Sequence, residues 1–271
     1  HALGANTTGT QNVALGVSAL ASTLTHSNNI AIGYQAMTTA NGAADSIAIG
    51  SDALKFVTTG DYNVAVGKDA LKYTTTSSSN TAFGTNSLEN NTTGVRNTAV
   101  GVECIHQNTT GNYNTAYGYQ ALEKNTTAND NAAFGYQSLE ENTTGTQNTA
   151  VGRNALTANT TANDNTAVGY LALSSNQTGA SNTFVGSEAG RDNTANSNTG
   201  VGKRAIFNNT SGTNNTAVGA HALDANTTAS NNTAVGTDAL TANTTGSQNT
   251  GVGSLAMDAN TTGYFNSALG V

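Results

Sequence analysis

The chain has 271 residues and a formal net charge of -7, with only 9% charged side chains, no Pro, no Trp and a single Cys. An acidic surface gives nucleic acid and anionic membranes no favourable Coulomb attraction, and one cysteine, Cys104, excludes both an intramolecular disulfide and a thiolate-rich metal site. No run of about 18 apolar residues is present to form a membrane-spanning helix, and the start does not resemble a signal peptide, so any targeting or anchoring part is expected outside this chain.

A glycine recurs every seventeen residues, as at Gly16, Gly50, Gly101 and Gly152, and after a single step of sixteen from Gly186 to Gly202 the spacing resumes through Gly219 to Gly270. A unit this short cannot bury a core of its own and must stack on its neighbours. The period therefore predicts an all-β parallel solenoid of about sixteen coils, one array over residues 1–271. At a coil rise of ~4.8 Å the array would be roughly 75 Å long.

The first coils read Asn12-Val13-Ala14-Leu15-Gly16, Asn29-Ile30-Ala31-Ile32-Gly33, Ser46-Ile47-Ala48-Ile49-Gly50 and Asn63-Val64-Ala65-Val66-Gly67. With the glycine as position five, positions two and four are apolar and mostly β-branched, which suits a strand. Positions two and four share one strand face, expected here to point into the coil. The Ala between them is expected on the opposite face, where it would let a neighbouring backbone approach. The Ala-Leu pair at positions eight and nine, as in Ala19-Leu20 and Ala70-Leu71, predicts a second short strand that closes the coil. Glycine at position five suits a corner at positive φ or a close backbone approach.

From Thr81 onward position two is chiefly Thr, and most coils carry an Asn-Thr-Thr-Gly or Asn-Thr-Thr-Ala segment that predicts the second corner. Stacking turns each position into a column of like residues. Asn at position one (Asn12, Asn97, Asn148, Asn215, Asn249) and at position twelve (Asn108, Asn159, Asn226) predicts two hydrogen-bonded amide ladders. Cys104 stands where most coils have Ala, as a small core residue rather than a nucleophile. Asp52, Asp69, Glu103 and Asp238 share one variable position, read as solvated surface. Near 184–202 the array is irregular: Phe184 replaces Ala at position three, Gly190 replaces Leu at position nine, and one residue is lost between Arg191 and Ser197. The loss is expected in the outer corner, with Phe184 filling the volume of the missing Leu. The chain opens at position seven with His1 and closes at position six with Val271, leaving no segment for a cap, so it is expected either to be a stretch of a longer repeat protein or to stack end to end into a filament.

The segment Asp45-Ser46-Ile47-Ala48-Ile49-Gly50 resembles the head repeat of trimeric autotransporter adhesins, the YadA-like family. The other early coils match equally well, and the later Asn-Thr-Ala-Val-Gly units are similar to repeats of phage tail fibres, so the resemblance spans the chain. It implies a left-handed parallel β-roll, three copies packed in a fibre, an extracellular location on a cell surface or virion, and attachment to a surface receptor or host glycan. The chain departs from the family in its longer coil, in Thr at position two, and in carrying no neck, coiled-coil stalk or membrane anchor.

Three functions follow. The repeat architecture favours a structural or adhesive fibre segment without catalysis, cofactor or metal; small Ala at positions three and eight is read as a surface for neighbouring copies. The alternative is ice binding by Thr and Asn ladders, weakened because adjacent corner residues such as Thr92 and Thr93 face opposite ways. The third is a repeat region of a β-helix enzyme or phage tailspike, but His1, His26, His106 and His221 lie too many coils apart to converge on one substrate. Sequons such as Asn108, Asn159 and Asn226, each followed two residues on by Thr, are candidate glycan sites if their corners are exposed.

Overall fold

The computed structural model describes residues 1–22 and 25–270; Val271 lies outside the described residues. Among them are sixteen three-residue strands and no helix, from β1 (Val13–Leu15) to β16 (Ser267–Leu269). The chain divides into two compact units, 1–133 and 134–271. In the first, β1 to β7 (Thr115–Tyr117) pair in sequence order, parallel, each residue opposite the one seventeen on. In the second, β9 (Thr149–Val151) to β16 do the same, with one step of sixteen. Each unit is a parallel β-solenoid with one strand per coil.

The strand faces the opposite way from the one its alternation suggested. Ala31, Ala99, Ala150 and Ala217 at position three are wholly buried. Position four lies outside, with Phe83 56% and Val218 40% exposed. The reason is volume. Leu20, Leu71, Leu122 and Leu223 at position nine are all fully buried and already occupy the narrow interior, so the strand passing over them has room only for a methyl group. Ala at positions three and eight is thus spent on the coil's own core and offers no surface to a neighbouring copy.

Among the described residues the expected second strand is absent too. Positions six to eleven form a turn, in which positions seven and nine, and later seventeen, adopt left-handed backbone: Glu103 (φ 55), Ile105 (φ 49) and Tyr113 (φ 59) in one coil. Each such non-glycine residue costs about 1–2 kcal/mol. Burial of the position-nine side chain offsets this, as do bonds between coils. Ile105 N–H donates to the Ala121 carbonyl of the next coil at 3.0 Å, and Glu103 N–H and Tyr113 N–H donate to Thr85 and Val95 of the previous coil at 3.0 and 3.1 Å.

Glycine at position five meets both expected demands. Gly101 has φ +139, and a Cβ there would stand 2.3 Å from the Gly118 carbonyl oxygen. No side chain fits between such backbones.

The lost residue sits in the outer corner. Asn193 Nδ2 donates to the carbonyl of Ala195, two residues on, at 2.9 Å, where Asn176 reaches Gly179, three residues on, at the same distance; one Thr of the Asn-Thr-Thr corner is missing. Strand register survives, with Phe184 opposite Gly200 between β11 (Thr183–Val185) and β12 (Thr199–Val201). Phe184 fills the interior as expected. A Cβ at Gly190 or at Gly200 would lie 2.5 Å from its ring, so two glycines, not one, make room for it.

Candidate functional site

Both asparagine ladders are present and buried. In the position-one ladder, Asn97 Nδ2 donates to the carbonyl of Gly111, fourteen residues on, at 2.8 Å, and Asn97 Oδ1 accepts from Asn114 N–H of the next coil at 2.9 Å. Asn148, Asn215 and Asn249 repeat the first bond to Ala162, Ala229 and Gly263 at 2.7–2.8 Å, and the half-buried Asn12 reaches His26 O at 2.8 Å. In the position-twelve ladder, Asn108, Asn159 and Asn226 donate to the previous coil's Asn Oδ1 at 2.7, 2.8 and 2.9 Å, and each also bonds the carbonyl three residues on. A buried amide is costly unless bonded, and these columns bond it coil after coil. Near the shortened coil the pattern slips, and Asn165 Nδ2 is left without a partner.

Burial also alters the reading of the sequons. Asn108, Asn159 and Asn226 are wholly buried, so in the folded coil their amides face their own ladder and are closed to a glycan. The corner hydroxyls are similarly engaged: Thr92, Thr109 and Thr227 each donate to the next coil's Thr carbonyl at 2.9, 3.0 and 3.1 Å.

The titratable groups form pairs on the coil surface. Asp69 is not solvated: it is 7% exposed and bridges Lys72 at 2.9 Å, a hydrogen bond that raises the Lys72 pKa against the effect of burial. Asp52 bridges Lys55 at 3.0 Å. His106 lies 3.0 Å from Glu89, and His221 2.8 Å from Asp224. At the shortened coil, the Arg191 and Arg204 guanidinium groups lie 4.1 and 4.0 Å from the Phe207 ring centre. Desolvation raises the Asp192 pKa, but bonds from Arg191 and Ser175 outweigh it and hold the carboxyl below its ordinary range. Among the described residues no three His, Cys, Asp or Glu gather as a metal site. Cys104 is buried, which pushes its thiol up to about 12, and Sγ donates to Ala116 O at 3.3 Å.

What remains unexplained by the fold is the outward strand face. In the first four coils it is wholly aliphatic, with Ile30, Ile32, Ile47, Ile49, Val64 and Val66 in register. In the second unit it is Thr at position two and Val at position four on seven successive strands, β9 to β15 (Thr250–Val252). The alternation alone could not find this face, since period two defines two faces without saying which is inside. A signal was present in side-chain size. Position four runs from Val to Phe83 and Tyr117, a spread a packed interior does not tolerate, whereas position three is nearly uniform.

No family model matches the chain, and no curated protein matches it. The class of protein is therefore defined by the fold alone, a tandem-repeat parallel β-solenoid.

Proposed function

We propose that the chain is a structural segment of an extracellular fibre, without catalysis, that associates with copies of itself through the aliphatic strand face of its first four coils. The observation that carries this is the in-register array of Ile30, Ile32, Ile47, Ile49, Val64 and Val66, turned away from the coil interior. Leu15 beside them is 66% exposed. A contiguous apolar surface of this kind favours cover by another apolar surface, and a parallel copy presents the same pattern at the same ~4.8 Å rise. Resemblance to adhesin heads supports a homotrimer and a role in surface attachment. The nearly uniform interior, with asparagine ladders bonded through most of the stack, supports a structural rather than a catalytic part.

The test is the particle mass of the full chain at micromolar concentration, alone and with Ile32→Lys and Ile49→Lys together. Trimer for the first and monomer for the second, with unchanged circular dichroism, is expected. A monomeric parent chain refutes the reading.

A further inference from the structure

We infer that the Thr-x-Val strand face of the second unit is an ice-binding surface. It occupies the same strand positions, two and four, as the aliphatic residues but in the other unit, and the inference does not rest on self-association. Seven successive strands present the same pair, from Thr149 and Val151 to Thr250 and Val252. Their register holds across the shortened coil, where Thr183 pairs Thr199 and Val185 pairs Val201. The deletion is absorbed at the corner, and the face stays regular.

The fold does not require this pair. Val151, Val185, Val201 and Val218 are 36–40% exposed, and among the described residues the hydroxyls of Thr166, Thr199, Thr216 and Thr233 have no hydrogen-bond partner within the chain. The corner hydroxyls differ, since Thr227 and Thr244 each bond the next coil's carbonyl at 3.1 and 3.0 Å. Position six, next along the chain, is free to vary and does so, through Arg153, Tyr170, Ser187, Lys203 and Ala220.

The chemistry of the pair selects the ligand. Neither column holds an ionisable residue in a chain of net charge -7, so the face complements an uncharged partner. Parallel strands set like residues ~4.8 Å apart across the ladder and ~7 Å apart between positions two and four. The result is a two-dimensional array of methyl groups and of hydroxyls able both to donate and to accept, rigidly held by the ladder beneath. The surface of ice is likewise a rigid, neutral, two-dimensional array of donors and acceptors, with oxygen repeats close to these spacings. A peptide or a sugar chain repeats in one direction only.

Thermal hysteresis of the full chain on a single ice crystal tests the assignment, with particle mass measured alongside. The parent protein is expected to lower the freezing point below the melting point and to facet the crystal. Val201→Tyr with Val218→Tyr, which places rings that position four already accepts at Phe83 and Tyr117, is expected to abolish the gap, whereas Thr228→Tyr on the corner keeps it. Three outcomes overturn the inference: no hysteresis from the parent chain, hysteresis unchanged in the double variant, or a fall in particle mass in the double variant, which would place a second copy on this face. None of these bears on the aliphatic face, whose test is the lysine pair.

Discussion

Phe184, Gly190 and Gly200 form one volume exchange, and a double-mutant cycle on the first two measures it. Phe184 is wholly buried, so Phe184→Ala should cost about 3–5 kcal/mol. Gly190→Leu alone forces a side chain whose Cβ would stand 2.5 Å from the ring, an overpacking cost of about 1–3 kcal/mol or more. Together the two changes recreate the pairing of Ala167 with Leu173 one coil earlier, both wholly buried. The Gly190 backbone, at φ 59, already lies close to that of Leu173 at φ 53. The double variant should therefore fall within about 1.5 kcal/mol of the parent, in the range of volume-conserving exchanges, leaving a coupling of at least about 2.5 kcal/mol. Urea unfolding of the four proteins reads this directly. Additive losses would refute the packing argument.

Asn226→Ala removes donors to Asn209 Oδ1 and Ala229 O and the acceptor for Asn243 Nδ2, leaving buried partners unsatisfied. A loss of about 1–3 kcal/mol is expected in urea unfolding, against little change for Thr228→Ala at the exposed corner. Cys104, with its thiol at about 12, stays protonated and buried at pH 8; iodoacetamide should leave the folded chain unlabelled and add one group after unfolding, both read by intact mass.

The period made the fold legible, and an exact period is what a sequence can carry. Gly101 and Gly118, and the amides of Asn97 and Asn108, act through contacts with the same position in the next coil, so their recurrence announces their role. Which strand face lies inside depended on a different position, the buried Leu at nine, whose bulk restricts its neighbour to Ala. Nor could the backbone of Leu71 or Leu223 be foreseen, because leucine disfavours positive φ and only the tertiary bonds of the stack hold it there. Phe184 was legible through its local partner Gly190, while its second partner, Gly200, belongs to the following coil. The Thr and Val columns carried their signal only in the spread of side-chain size at position four, because a period of two does not say which face lies inside.

The parallel, seventeen-residue register is most directly tested by interstrand nuclear Overhauser contacts in an isotope-labelled chain. The structure requires backbone contacts between Thr149 and Thr166, Thr166 and Thr183, and Thr216 and Thr233, with a single step of sixteen between Thr183 and Thr199. Observing that series, with its one short step, would establish the coil stacking on which the ladders and both outward faces depend. Close Hα–Hα contacts of antiparallel pairing, or a register other than these, would contradict it.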